Sequence, residues 1–216
     1  MIIRPLGDSA VLVVFGEEIR EDLNALVRGL ARAIEGAGFE WLAEVVPAYS
    51  SLAVFYDPSL IGYDDVRRII EGIPFEPEDA GGRLVEVPVK YGGEFGPDLG
   101  FVAEHNGLSE EEVVEIHSSR IYKVYFIGFL PGFPYLSEVD ERIAAPRLER
   151  PRLRVPAGSV GIAGRQTGIY PVESPGGWRI IGRTPLKLFD PSREPPVLLR
   201  SGDRVKFIPV EEWPHD

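Results

Sequence analysis

Between Gly128 and Gly182 the chain places nine of its 24 glycines and seven of its 20 prolines. No helix survives that density, because proline removes a backbone donor and glycine has the most chain entropy to lose on folding. The stretch must be short strands joined by shaped loops. Aromatic and polar residues punctuate it: Phe129, Phe133, Tyr135, Gln166, Tyr170 and Trp178. Rigid loops carrying such groups are a frequent way to build a small-molecule site.

The strand pattern extends beyond this stretch. Ile121–Ile127, Trp178–Ile181, Leu186–Phe189 and Arg204–Ile208 read as strands, the last introduced by the turn Ser201-Gly202-Asp203. Many short strands with intervening turns predict a barrel or a sandwich. Upstream, Val85, Val87, Val89 and Tyr91 alternate with polar residues and Pro88, a strand that the proline assigns to an edge. Two short helices lie between. Pro97 suits a first helical position, with Asp98 at the positive helix end. For the second helix, Ser109 and Glu112 have capping-box spacing, and Leu108 and Val113 the spacing of a hydrophobic staple. His117 shares a face with Val113, four residues before it.

The first 80 residues read differently. Strand candidates Ile2–Leu6 and Ala10–Phe15 precede a helix over Glu18–Ile34, with Ile19, Leu23, Leu26, Leu30 and Ile34 at helical spacing. The pair Trp41–Val46 and Ser51–Tyr56 follows, then a helix over Tyr63–Glu71. The order β-β-α-β-β-α predicts a compact sheet backed by two helices. The stretch Pro74–Gly82 has the composition of a linker. The expected organisation is a small N-terminal α+β domain over 1–80 and a mainly β domain over 81–216.

Composition narrows the function. With 44% hydrophobic and 26% charged residues, the chain reads as a soluble globular protein. It has no apolar run of about 20 residues and no signal-peptide core, so no membrane partner is expected and the cytoplasm is the expected location. Zero cysteines exclude disulfides, thiol catalysis and cysteine-bound metal, and three histidines leave little for a metal site. No phosphate-binding loop motif or dinucleotide fingerprint occurs. A net charge of −11 argues against nonspecific nucleic-acid binding. Residues 142–206 nonetheless carry 13 Lys/Arg against 5 Asp/Glu. That asymmetry is either two solvated surfaces of opposite sign or an anion-friendly site.

Several side chains are candidates for chemistry, each with a bland alternative. His117 is either a proton carrier or a helix-end histidine packed on the core. Pro131-Gly132 suits the centre of a type II turn, with Gly132 at positive φ and Phe129 and Phe133 exposed beside it. Such a turn can aim backbone N–H groups at an anion, or it can simply make a barrel corner. Arg152 and Arg154 are spaced to share a strand face, and arginine's fork fits a carboxylate. The alternative is an ion pair with an acid such as Glu149. Ser159, outside any nucleophile elbow, and Gln166 offer neutral polar groups. Tyr170 is a further polar group or a core filler. Trp178 is a flat wall or a buried hairpin end.

The ordered motifs Tyr91-Gly92-Gly93-Glu94-Phe95-Gly96-Pro97-Asp98-Leu99, Gly128-Phe129-Leu130-Pro131-Gly132-Phe133-Pro134-Tyr135-Leu136, Pro156-Ala157-Gly158-Ser159-Val160-Gly161, Gln166-Thr167-Gly168-Ile169-Tyr170-Pro171 and Ser174-Pro175-Gly176-Gly177-Trp178 resemble one family. It is the KipI/PxpB family, also described as allophanate hydrolase subunit 1 or a carboxyltransferase-type domain. The resemblance is strong over Tyr91–Pro209 and weaker before. It implies a cyclophilin-like β-barrel after the smaller α+β domain. It also implies a role as the B subunit of a 5-oxoprolinase, which opens 5-oxoproline to glutamate with ATP. Alternatives within the resemblance are an inhibitor of a sensor histidine kinase and an allophanate hydrolase or carboxyltransferase component. The implied partners are a homologous barrel subunit, which would share the cleft, and a further 5-oxoprolinase subunit. ATP would be bound with or by a partner, and no biotin or metal is expected in this chain. The resemblance strengthens His117 as a catalytic candidate, adds Glu94 and Asp98 as acid candidates, with a helix-start role as the alternative for Asp98, and places the cleft beside Phe129 and Phe133.

Overall fold

The computed structural model describes residues 1–78 and 81–212. It divides into two compact units, Met1–Ala80 and Gly81–Asp216.

The first unit runs β1 (Ile2–Pro5), β2 (Ala10–Val14), α1 (Glu21–Gly36), β3 (Leu42–Pro47), β4 (Ser51–Tyr56) and α2 (Tyr63–Gly72). Its sheet is antiparallel in the order β1-β2-β4-β3. Alternation sets one sheet face inward: Val11, Val13, Leu52, Val54 and Tyr56 pack on Val27, Leu30 and Ile34 of α1 and on Val66 and Ile70 of α2. Helix α1 starts at Glu21, later than the expected Glu18, because Arg20 is extended and its guanidinium pairs with Asp22. Part of the expected linker is a packed strap. The Glu78 N–H donates to the Ala25 carbonyl at 2.9 Å, Arg28 donates to the Glu78 carbonyl, and Arg32 pairs with the Glu78 carboxylate at 3.2 Å. The strap crosses α1 at Gly29, where any Cβ would overlap the Glu76 carbonyl. Asp79 and Ala80, also in that expected linker, lie outside the described residues.

The second unit contains β5 (Leu84–Tyr91), α3 (Leu99–Asn106), α4 (Glu110–Ser119), β6 (Ile121–Ile127), β7 (Pro134–Leu136), β8 (Arg152–Val155), β9 (Ser159–Ala163), β10 (Gln166–Ile169), β11 (Ser174–Gly176), β12 (Arg179–Arg183) and β13 (Arg204–Pro209). Seven strands close a barrel in the order β10-β7-β6-β13-β5-β12-β9. All its pairs are antiparallel except β5 with β13. Strands β8 and β11 form a separate two-stranded ribbon. The barrel core joins Val87, Val89, Tyr122, Val124, Val160, Ile162 and Phe207 to Leu99 and Val102 of α3 and Val113 of α4.

Local signals worked well here. Helix α4 has the full capping box: the Glu112 N–H donates to Ser109 Oγ at 3.1 Å, and the Ser109 N–H donates to the Glu112 carboxylate at 2.7 Å. Three expectations need correction. Leu186–Phe189 is not a strand, and only Phe189 bridges to Val197. Pro185 interrupts the backbone there. Pro88 is not on an edge strand, since β5 pairs on both sides. The proline is tolerated because β12 pairs only with Lys90 and Tyr91, leaving that side of Pro88 free of ladder bonds. Helix α3 starts at Leu99 rather than Pro97, because Asp98 is its N-cap, with a backbone outside the helical range at φ −104° and ψ 4°.

Candidate functional site

The loop after β6 holds two tight turns in sequence. The Phe133 N–H donates to the Leu130 carbonyl at 3.0 Å, and Gly132 has φ of 81°, which makes Leu130–Phe133 the expected type II turn. Just before it, the Leu130 N–H donates to the Gly128 carbonyl at 2.7 Å. That bond puts Phe129 at the centre of a γ-turn with φ of 65°. Among the described residues Phe129 is the one non-glycine at positive φ. The residue is 62% exposed, at the edge of a cluster of aromatic side chains.

Those side chains wall a cleft of about 260 Å³. Phe129, Phe133, Tyr135, Tyr170 and Trp178 form one side, and Pro151, Pro175, Gly176 and Gly177 come from the β8–β11 ribbon and its ends. Phe133 meets Tyr170 and Trp178 edge to face, with centroids 5.3 and 5.5 Å apart, the arrangement aromatic quadrupoles favour. Burial pushes the Tyr170 hydroxyl above the ordinary phenol range, although the Trp178 backbone N–H hydrogen-bonds to it. The phenol is therefore neutral at any ordinary pH. Gly176 is required beside it, since a Cβ there would overlap the Tyr170 hydroxyl and come within 2.8 Å of two ring carbons.

Arg147 also lines the cleft. It is exposed and has no ion-pair or hydrogen-bond partner among the described residues, yet its charge reaches both Tyr135 and Tyr170. A cation without an acid, set beside aromatic faces, is a ready site for a small carboxylate.

The sequence candidates thus divide. Phe129, Phe133, Tyr170 and Trp178 meet at the cleft. Gly132 packs its α-carbon face toward Leu188 and Phe189 instead. Ser159 is buried at the start of β9, and Gln166 is half-buried at the start of β10; neither lines the cleft. Glu94 is exposed on the turn between β5 and α3, also away from it. Arg152 is held by an acid, but not by Glu149. Its two terminal nitrogens donate to the two Asp98 oxygens at 2.8 and 2.9 Å. Arg154 pairs likewise with Glu173.

His117 lies in the barrel interior, fully buried and away from the cleft. Thr167 Oγ1 donates to the Gly161 carbonyl at 3.1 Å, so toward His117 it can only accept. The His117 Nε2–H therefore donates to Thr167 at 3.0 Å, and Nδ1 accepts from the Tyr91 hydroxyl at 2.8 Å. Burial lowers the His117 pKa to about 3. Both nitrogens are occupied in one neutral tautomer, an arrangement that fixes the barrel interior. Sequence reasoning missed Arg147, and it named Asp98 as an acid candidate without the Arg152 and Arg179 partners that the fold brings to it. For Arg147 the signal was present: Pro146 and Pro151 frame a short segment whose one acid, Glu149, is outnumbered by Arg147 and Arg150.

A closed barrel with an aromatic cleft beneath a two-stranded ribbon places the chain in the class of carboxyltransferase-type barrel proteins. The family model described as carboxyltransferase domain, subdomain C and D, matches residues 1–199, and the chain belongs to that family, the KipI/PxpB family of the sequence resemblance. The 5-oxoprolinase B subunit of Bacillus subtilis is 50% identical over 97% of this chain and 93% of its own length. The crystal structure of TTHA0988 superposes with a TM-score of 0.84 at 43% identity. The match covers 98% of this chain but 41% of that one, so this chain spans less than half of that protein. The Kluyveromyces lactis urea amidolyase shares the fold, with a TM-score of 0.81 at 22% identity over 96% of this chain and 15% of its own.

Proposed function

We propose that this chain is the B subunit of an ATP-dependent 5-oxoprolinase and that its aromatic cleft holds the substrate's carboxylate end. The observation that carries the reading is the unpaired Arg147 in that cleft, in a chain half-identical along almost its whole length to a protein named for this role. Arg147 would clamp the carboxylate bidentately. The lactam ring would lie against the exposed Phe129, with the buried Phe133 and Trp178 rings behind it, and the neutral Tyr170 phenol would add polarity without competing charge. Together these groups bind, orient and partly desolvate the substrate.

The same cleft does not fit a triphosphate. Among the described residues that line it there is a single guanidinium and no helix N-terminus, whereas phosphate chains are held by several converging N–H donors. In this reading ATP is bound by a partner subunit, and a homologous barrel subunit completes the site from outside. In this reading the chain acts in the cytoplasm. The test is glutamate formation from 5-oxoproline and ATP by this chain purified with its candidate partner subunits. Turnover should require this chain. Equal turnover when it is omitted refutes the role.

A further inference from the structure

We infer that Asp98 is a positioning residue that sets Arg147 and the ribbon wall of the cleft. The inference rests on the cleft reading above and deepens it. Asp98 is 5% exposed and carries more connections than a helix start needs. Its carboxylate takes both terminal nitrogens of Arg152, accepts the Ile180 backbone N–H at 2.7 Å, and lies 3.9 Å from the Arg179 guanidinium. Its own N–H donates to the Ile180 carbonyl at 2.9 Å. It makes no side-chain cap to α3.

These bonds converge on one irregular segment, Pro146 to Arg152. At one end the Arg179 Nε–H donates to the Pro146 carbonyl at 3.1 Å. Arg179 is itself held over the Phe101 ring, 3.5 Å from its centroid. In the middle, the Leu148 N–H donates to the Gly177 carbonyl at 2.8 Å. At the other end stands Arg152, locked to Asp98. Between the pinned ends lies Arg147, and next to Arg152 lies Pro151, both lining the cleft. The carboxylate thus fixes the segment's far end directly and its near end through Arg179. A bidentate pair with its carboxylate buried suits this task, because its geometry is far more restrictive than a single-point charge contact. Arg152 acts on the substrate through this frame, not by touching it.

The test compares Asp98→Asn with the parent in the assembled complex. Hydrogen exchange should accelerate at least about tenfold in peptides spanning 146–155 and 174–177, with β6 and β13 unchanged, since losing the pair releases the segment locally. The KM for 5-oxoproline should rise roughly tenfold or more, with kcat within about twofold and the KM for ATP unchanged, the pattern of lost substrate binding. Unchanged exchange, or an unchanged KM where Arg147→Ala raises it, overturns the positioning role. If Arg147→Ala also leaves KM unchanged, the cleft reading has failed, and exchange alone decides whether Asp98 holds the segment. Should Asp98→Asn fold poorly, Asp98→Asn/Arg152→Met removes the stranded charge. That variant should regain thermal stability while KM stays raised, and a recovered KM overturns the inference.

Discussion

Replacing His117 with glutamine should remove an acid sensitivity built into the barrel. In the folded protein His117 stays neutral down to about pH 3, because it is fully buried and both nitrogens are engaged. In the unfolded chain a histidine ionises near pH 6.5, with pKa values of that order typical of exposed imidazoles. Between these values the unfolded state binds a proton that the folded state refuses. Stability is therefore full above pH 6.5 and falls as the pH drops, by about 1.4 kcal/mol per pH unit. By pH 4 the loss from this one group is about 3 kcal/mol. Glutamine does not titrate, so His117→Gln starts less stable at pH 7, having lost part of the bonded chain from Tyr91 to Gly161. Its deficit against the parent should then shrink by about 3 kcal/mol on going to pH 4. Urea unfolding reads this directly, followed through Trp178 with Trp41 and Trp213 replaced by phenylalanine so that the barrel alone reports. A stability difference that stays constant from pH 7 to pH 4 refutes the reasoning. His117 would then titrate normally when folded and return as a candidate proton carrier.

Two further substitutions test the packing around the site and the helix that supports the barrel. Gly176→Ala drives a methyl into the Tyr170 ring and should cost about 1–3 kcal/mol as overpacking, with Tyr170→Phe recovering part of it, measured by thermal unfolding. Ser109→Ala removes one half of the capping box on α4 and should cost about 1 kcal/mol by the same measurement.

Much of the fold was legible because its signals are local. The capping box needs only Ser109 and Glu112, three residues apart, and the type II turn needs only Pro131 and Gly132 in succession. Binary alternation likewise marked β5. Sequence patterning cannot choose distant partners, however. The barrel closes through the parallel pairing of β5 with β13, where Leu84 stands opposite Arg204. No periodicity in either strand encodes that match. Pro88 was placed on an edge because a missing donor is visible in sequence, while the short reach of β12 that accommodates it is not.

The site divides the same way. The aromatic wall was readable as clustered Phe129, Phe133, Tyr170 and Trp178 in glycine-rich loops. Which arginine faces the cleft was not. Arg152 and Arg147 look equally available in sequence, and the difference is Asp98, remote along the chain but bonded to one of them. His117 misled for a related reason. Its helix position is evident, but the burial that keeps it neutral and the Tyr91 and Thr167 partners that hold its ring come from β5 and β10, far along the chain.

The most direct test of the account is the KM for 5-oxoproline of the assembled enzyme carrying Arg147→Ala. A bidentate guanidinium–carboxylate contact contributes about 1.5–3 kcal/mol, so KM should rise roughly tenfold to a hundredfold while the KM for ATP is unchanged. An unchanged KM for 5-oxoproline in an intact, active complex would contradict the assignment of the carboxylate to this cleft.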